Sequence, residues 1–171
     1  MGVVLNADQR RHLDGAVQRA RTASELAATD ALRALAVAEP SRPAYLSDTD
    51  NALRLALREQ ARQLGDNTAS SGADLTNLIR EVAYEQWHRL LFARFLAENN
   101  LLIHPEYRAP VTLDDCEELA DSLGEPDGWS VAARFASEIL PGIFRLDDPC
   151  VRLRLAPEGR LALEGILASL P

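Results

Sequence analysis

The segment from Val82 to His104 constrains the fold more than any other part of the chain. On a helical wheel at about 100° per residue, its apolar side chains cover well over half of the circumference. A helix that is apolar over so much of its surface must be packed on several sides, so the sequence predicts a central helix here. The side chains of this apolar arc are Trp87, Leu90, Leu91, Phe92, Phe95 and Leu96.

Charged residues interrupt this helix at fixed angles. Glu81, Glu85 and Arg89 follow one another at i, i+4 spacing and predict a solvated strip. Arg94 and Glu98 differ, because they fall within the apolar arc. In one interpretation, the stem of Arg94 covers apolar surface while its guanidinium reaches water or Glu98. In the other, both residues face a neighbouring domain or partner, since an unpaired buried charge is costly.

Capping residues and helix breakers set the predicted boundaries. Asn6 is expected to cap a first helical region, which reaches about Val37 as one long helix or as two. Thr112 with Asp115 predicts the capping box of a later helix. The asparagines at 99–100 are expected to end the central helix, because asparagine tolerates the left-handed cap conformation.

These elements together predict a mainly α fold. We expect a single helical domain of six or seven helices around the central long helix, with one short β-like segment. Three parts are predicted along the chain: an N-terminal helical hairpin or subdomain at residues 1–65, a polar linker at 66–73, and a helical core at 74–171.

The β-like segment follows from a short alternation near the end of the chain. Val151, Leu153 and Leu155 alternate with Arg152 and Arg154, which is the period of an extended strand with both arginines on one side. Arg152 and Arg154 are therefore weak candidates for phosphate contacts. An edge segment with a solvated arginine face is the simpler interpretation, because two arginines are a small footprint in an acidic chain.

Composition favours a soluble cytoplasmic protein. At 171 residues, 47% of them hydrophobic, the chain is long enough for one domain with its own core. Its start lacks the pattern of a secretory signal and no run reaches membrane-spanning length, so we expect no membrane partner. The formal net charge of −8 weakens attraction to phosphate backbones, and the chain alone is expected to bind nucleic acid poorly.

The sequence carries no recognised catalytic motif. No GxGxxG, P-loop, HExxH or GxSxG occurs, and neither the two cysteines nor the three histidines have metal-ligand spacing. Adjacent acids such as Asp114-Asp115 are typical of helix N-termini and loops. We therefore assign no catalytic, cofactor-binding or metal-binding residue, and expect a helical module that acts by contact with something else.

Three stretches carry a resemblance to a known group: REVAYEQWHRLLFARFLAENNLLIHPEY, VTLDDCEELA and DGWSVAARFASEILPGIF. They resemble the N-terminal helical region of large bacterial adenine-specific DNA methyltransferases of the fused restriction-modification or phage-defence type. Arg94-Phe95-Leu96-Ala97-Glu98-Asn99 is similar to the Arg-Phe-hydrophobic-Glu-x-Asn ending of a helix that precedes the methyltransferase domain in that group. The match spans roughly residues 80–170, whereas residues 1–79 share only helical character.

The resemblance implies the N-terminal segment, or a separately encoded piece, of such an enzyme, packed on the catalytic domain and assisting DNA engagement. In that group an S-adenosylmethionine-binding domain and an Asn-Pro-Pro-Tyr or similar motif follow downstream. This sequence contains neither, so methyl transfer is not expected of it. Arg94 and Glu98 would then face the methyltransferase domain, and apolar surface near Trp87 or Phe92 would offer the isolated chain a route to homodimers.

Two other classes of function stay open. The chain is alternatively an independent acidic adaptor or regulator whose surface meets a basic partner. A stand-alone enzyme is the third reading, and it would require a polar pocket that the sequence does not foretell.

Overall fold

The structure, a computed structural model, describes residues 6–170. Seven α-helices lie within this range, and the predicted mainly α fold is confirmed. The helices are α1 (Ala7–Ala34), α2 (Asp48–Gln63), α3 (Thr76–Glu98), α4 (Leu113–Leu123), α5 (Gly128–Ile139), α6 (Pro149–Arg152) and α7 (Pro157–Ala168).

Reciprocal capping boxes begin two of the helices where the sequence predicts them. The Gln9 amide donates to Asn6 Oδ1 at 2.8 Å, and the Asn6 amide donates to Gln9 Oε1 at 2.9 Å, at the start of α1. Thr112 and Asp115 form the same arrangement before α4. Each box satisfies amides that have no carbonyl partner in a first helical turn, which fixes where the helix starts.

Left-handed residues lie at the ends of α3 and α4, and the one after α3 falls where the sequence predicts it. Asn100, two residues beyond the end of α3, has a φ of 56°. Gly124 caps α4 with a φ of 69°, a conformation that costs glycine little because it has no Cβ. Both helices therefore stop at residues that the sequence marks as terminators.

The first helical region is one uninterrupted helix of 28 residues, which settles the choice between one helix and two. Its buried face consists largely of small side chains, and α7 packs against it. A Cβ added to Gly159 in α7 would lie 2.7 Å from the Cβ of Ala27 in α1. The two helices approach this closely because glycine meets alanine at their contact.

The strand predicted across Val151–Leu155 is wrong. Pro149 is the first residue of the short helix α6, and Asp148 Oδ1 accepts a hydrogen bond from the Cys150 amide at 2.9 Å. Proline is favoured at the first helical position, so the chain enters a helical turn before the alternation begins. Among residues 6–170 the β-structure is an isolated antiparallel bridge between Ile103 and Pro110.

The described residues form two compact units by their internal contacts. The first comprises the described residues through Trp87 together with those from Arg152 onward, and the second comprises His88–Val151. These boundaries differ from the predicted division at residues 66–73. The Asp66 carboxylate accepts the amides of Asn77 and Leu78 at 3.1 and 2.8 Å, which ties that segment to the start of α3 inside the first unit.

The first unit has a core of aliphatic side chains from α1, α2, α3 and α7. The buried residues of α1 are mostly alanine, whereas α2, α3 and α7 bury larger aliphatic side chains. Among its fully buried members are Ala28, Leu57, Leu78, Val82 and Leu163.

The second unit has a core between the end of α3, the helices α4 and α5, and the loops around them. Leu102, four residues beyond the end of α3, is completely buried, so the chain folds back onto this core after the helix. The α4–α5 contact is close, since the Gly128 amide donates to Glu117 Oε2 at 2.7 Å. Other buried members of this core are Ala93, Leu96, Cys116, Val131, Phe135 and Phe144.

Candidate functional site

Helix α3 buries one face at its C-terminal end rather than its whole circumference. Ala93, Leu96 and Ala97 are buried in the core of the second unit, whereas the side chain of Phe95 is 52% exposed. Leu90, Leu91 and Phe92 are half-buried, as is Trp87 in the first unit. The expectation of a helix packed on several sides therefore does not extend to Phe95, which lies on the face opposite the buried alanines.

The strip predicted to be solvated, Glu81, Glu85 and Arg89, is wrong at Glu85. Glu85 is only 5% exposed, and Arg89 is half-buried and donates from Nη1 to the Val151 carbonyl oxygen at 3.4 Å. The i, i+4 spacing correctly identified one face of the helix. It did not reveal that other parts of the protein cover that face and supply partners for its charges.

Arg94 and Glu98, the predicted interface residues, pair with each other. Arg94 Nε donates to Glu98 Oε1 at 2.6 Å, and the arginine side chain is much less exposed than the glutamate. This is the geometry of a long side chain whose stem lies along apolar surface while its charged end reaches an acid one turn away. Contact of this pair with a catalytic domain stays a prediction.

An apolar strip runs beside this ion pair within the second unit. His88, Leu91 and Phe95 follow one another at i, i+3 and i+7, so they lie within about 60° on one face of α3. The imidazole of His88 meets the Phe92 ring edge-on at a centroid distance of 4.6 Å. We call His88, Leu91 and Phe95 the α3 strip, which ends in an exposed aromatic ring.

The candidate phosphate contacts lie at the surface. Arg152 is the last residue of α6, and Arg154 lies in the loop before α7; both side chains are exposed. Val151 and Leu153 are buried, so the alternation of inward and outward residues holds although the segment is not a strand. Contact of these arginines with phosphate stays a prediction.

Two of the histidines lie within hydrogen-bonding distance of backbone groups. The buried ring of His104 accepts the amides of Glu106 and Tyr107 on Nδ1, at 3.2 and 3.3 Å. His12 Nε2 lies 2.8 Å from the Ser169 carbonyl oxygen. Over residues 6–170, no group of three or more histidine, cysteine, aspartate or glutamate side chains is placed to hold a metal ion.

The two cysteines lie in the interior of the protein. Cys116 and Cys150 are both buried, and no disulfide joins them. Burial, assisted by the nearby charge of Asp115, raises the pKa of the Cys116 thiol to about 11. The thiol form therefore dominates at neutral pH, and Cys116 is not disposed to act as a nucleophile.

Two buried arginines on α2 form a polar cluster that sequence analysis missed. Arg54 is 1% exposed and Arg58 is 7% exposed. Arg54 donates from Nε to the Ala36 carbonyl at 3.1 Å and from Nη2 to the carbonyls of Glu39 and Ser41. It thereby holds the loop that joins α1 to α2.

Arg58 extends this cluster to a second loop. Its Nη1 donates to the carbonyls of Val37 and Glu39, each at 2.6 Å, and its Nη2 donates to the carbonyl of Thr68 at 2.6 Å. Burial, followed by the positive charges of Arg54 and other arginines of α2, lowers the pKa of Arg58, and the Glu39 charge opposes this shift. Guanidinium stays charged in proteins, so Arg58 is a buried cation.

A sequence signal for this cluster does exist. The buried face of α2 reads Arg54, Leu57, Arg58 and Ala61, which is an i, i+3, i+4, i+7 pattern with two arginines in it. A search for apolar stripes passes over such a face, because arginine is read as solvated. Its planar fork of donors nevertheless suits a site surrounded by loop carbonyls.

Comparisons with known proteins add no family to this picture. No family model matches the chain, and neither a curated protein nor a solved structure matches it. Within the described part of the chain, no helix is both long and apolar enough to cross a lipid bilayer.

Proposed function

We propose that this chain is a non-catalytic helical module of an S-adenosylmethionine-dependent N6-adenine DNA methyltransferase, of a restriction-modification or phage-defence system. It packs on the catalytic domain, in the same polypeptide or the same complex, and acts in the cytoplasm. The proposal rests on the resemblance over residues 80–170 and on one structural observation. That observation is the α3 strip, which presents the exposed ring of Phe95 beside the Arg94–Glu98 pair.

An exposed aromatic ring on a helix face is a typical anchor for a protein partner. Burying Phe95 in an interface removes apolar area from water, at about 25 cal/mol per Å² of that area. The ion pair next to it supplies a polar rim whose partners are already satisfied within the helix. A docked domain would cover the ring without leaving a charge unpaired.

The residues of this chain do not fit S-adenosylmethionine. In Rossmann-like domains, S-adenosylmethionine lies against a glycine-rich turn between a strand and a helix, at the carboxyl edge of a mostly parallel sheet. The sequence has no such turn, and over residues 6–170 the β-structure is a single isolated bridge. The cofactor and the methyl transfer accordingly belong to the catalytic partner.

An acidic adaptor or regulator is the second candidate, and the charge of the second unit favours it. Residues 88–151 hold five arginines against twelve acidic residues. Such a surface attracts a basic protein partner and repels DNA. Five acidic residues of this unit are exposed in or beside one short helix: Asp114, Asp115, Glu117, Glu118 and Asp121.

The test measures two things in cells that encode the chain: which proteins bind it, and how much of the genomic adenine is methylated. The full chain is tagged at its own locus, its bound partners are identified by mass spectrometry, and N6-methyladenine in the genome is mapped by sequencing. Phe95→Asp places a charge on the α3 strip, and we expect it to reduce both partner recovery and methylation several-fold. Leu146→Asp, at another exposed apolar residue of the second unit, serves as the matched control and leaves both readouts unchanged.

Each outcome separates the candidates. Recovery of a polypeptide with a methyltransferase domain, lost in Phe95→Asp and retained in Leu146→Asp, supports the proposal. Recovery of a basic partner without such a domain, with adenine methylation intact in both variants, points instead to the adaptor. Methylation that persists after deletion of the gene rules the methyltransferase role out.

A further inference from the structure

A cleft of about 330 Å³ in the first unit lies beside the buried arginines of α2. Its lining includes Arg58, Arg62, Asn67 and Thr68, and we call it the arginine cleft. It is distinct from the α3 strip, and the function proposed above makes no use of it.

The cationic side of this cleft is not neutralised by ion pairs at its base. Arg54 and Arg58 bond to carbonyl oxygens and to the Asn51 side chain, and within the described residues neither forms a salt bridge with a carboxylate. Three N–H groups of Arg58 are used by carbonyls. A guanidinium has five such donors, so these carbonyls leave two donors of Arg58 unused, and Arg58 lines the cleft.

Thr68 supplies a second donor at the same place. Its side chain is 3% exposed, and its carbonyl accepts from Arg58, whereas its hydroxyl has no hydrogen-bond partner among the residues that the structure describes. The hydroxyl oxygen is not sealed from solvent, so a polar ligand in the cleft can reach it and form a hydrogen bond with it. The accessible hydroxyl and the two arginines therefore line the same cleft.

The acidic side chains in and around the cleft, including Asp66 of its lining, accept hydrogen bonds from other groups. Asp66 faces the first amides of α3, accepting from Asn77 and Leu78, which offsets its charge at a helix N-terminus. Glu39 accepts from the Ser71 hydroxyl and the Gly72 amide. The carboxylate that competes most directly is Glu59, exposed and one turn away, whose Oε2 accepts from Arg62 Nε at 3.1 Å.

We propose that the arginine cleft binds the phosphate group of a small phosphate monoester. Arg58 and Arg62 supply charge-assisted donors, and the Thr68 hydroxyl supplies a neutral one. Arginine forks match the tetrahedral oxygens of phosphate, and the volume of the cleft suits a small ligand. A small anion is favoured over duplex DNA, because the net charge of −8 repels a polymeric phosphate backbone more strongly than a single phosphate group.

The test titrates the full chain with inorganic phosphate and with glycerol phosphate at an ionic strength held constant with chloride. Isothermal calorimetry gives the affinity. Arg62→Gln and Thr68→Val are each expected to raise the Kd about tenfold, the loss that corresponds to one good hydrogen bond. Thr68→Ser retains the hydroxyl and is expected to restore binding.

Arg33→Gln is the matched control, because Arg33 and Asp30 form an exposed i, i+3 ion pair on α1 like that of Arg62 and Glu59. It should leave the Kd unchanged, and circular dichroism verifies that every variant is folded. Absence of saturable binding to the wild type, or equal loss in Arg33→Gln, overturns the proposal. Tighter binding of a short oligonucleotide without terminal phosphates assigns the cleft to phosphodiesters and overturns it as well.

Discussion

At the scale of single residues, the buried arginines of α2 are the least expected feature of this chain. Lys and Arg are seldom buried unless paired, and an unpartnered buried charge is destabilising. Arg54 and Arg58 are tolerated because each guanidinium donates to several loop carbonyls, Arg54 within the loop between α1 and α2 and Arg58 in that loop and at Thr68. The same bonds give the carbonyls of Ser41 and Thr68 a donor.

Removal of the Arg58 side chain should therefore cost far more stability than removal of an exposed arginine on the same helix. We expect Arg58→Leu to lower the free energy of unfolding by about 2–4 kcal/mol, because buried loop carbonyls lose their donors. Arg62→Leu removes an exposed arginine and its ion pair, and is expected to cost less than about 1 kcal/mol. Urea unfolding followed by circular dichroism measures both, and equal losses would contradict a structural role for Arg58.

At the scale of elements, the capping box of α4 links helix stability to pH. Hydrogen bonds from the amide and then the hydroxyl of Thr112 lower the pKa of Asp115 below its ordinary value of 3.8. A carboxyl whose folded-state pKa is depressed stabilises the folded state above its unfolded pKa. That contribution is lost as the pH falls through the lower, folded-state pKa.

Asp115→Asn should consequently destabilise the protein at neutral pH and have little effect in strong acid, where Asp115 is itself protonated. The matched control is Asp114→Asn, which makes the same charge change in the same helical turn but leaves the Thr112 hydrogen bonds in place. Urea midpoints at the two pH values give the comparison. If Asp115→Asn lowers the urea midpoint equally at both pH values, the ionised form of Asp115 does not stabilise the folded state more than the protonated form.

The contact of α1 with α7 offers a second test at this scale. Gly159→Ala places a methyl group 2.7 Å from the Ala27 Cβ, so the helices must separate. Overpacking of this kind costs about 1–3 kcal/mol, partly offset by the better helix propensity of alanine. Gly165→Ala, on the same helix with nothing within 4 Å of the added Cβ, should instead stabilise by about 0.5–1 kcal/mol. Thermal unfolding distinguishes the signs, and a stabilising Gly159→Ala would contradict the close approach.

The helices and their ends are largely predictable from the sequence, for local reasons. The boxes at Asn6 and Thr112 and the left-handed residues after α3 and α4 depend on neighbours a few positions away. The strand predicted at residues 151–155 is wrong because three apolar residues alternating with two arginines are a weaker local signal than Pro149, which starts a helical turn. Burial at Glu85 and exposure at Phe95 depend on tertiary packing, which helical periodicity alone does not determine.

At the scale of the whole molecule, the candidate site formed by neighbours in the sequence is predictable, and the one formed by distant residues is not. The Arg94–Glu98 pair is an i, i+4 interaction and could be located from spacing. The arginine cleft is lined by residues of α2 and of the loop at residues 66–69. No local sequence pattern predicts that the Thr68 hydroxyl lies beside these arginines. Loops that are distant in sequence meet at a buried arginine, and sequence patterns do not predict such a meeting. The one sequence sign of it is an arginine at a helix position where the pattern predicts an apolar residue.

The charge of the whole chain makes one further prediction, about DNA. A net charge of −8 repels a duplex, so we expect no saturable binding of the isolated chain at physiological salt, and at most the weak non-specific range with a Kd of about 10⁻⁴ M. A variant with Glu117→Gln, Glu118→Gln and Asp121→Asn changes the formal charge from −8 to −5. If repulsion limits binding, this variant should bind a duplex measurably more tightly than the wild type.

Fluorescence anisotropy with a labelled duplex, repeated at two salt concentrations, measures this effect. Raising the salt should narrow the difference between the variant and the wild type, because counterions screen the repulsion from exposed acids. The phosphate monoester titration should be unaffected by the three substitutions, since none of the three residues lines the arginine cleft. Nanomolar binding of the wild-type chain to duplex DNA would contradict this account, and would mean that a local arginine surface such as Arg152 and Arg154 outweighs the overall charge.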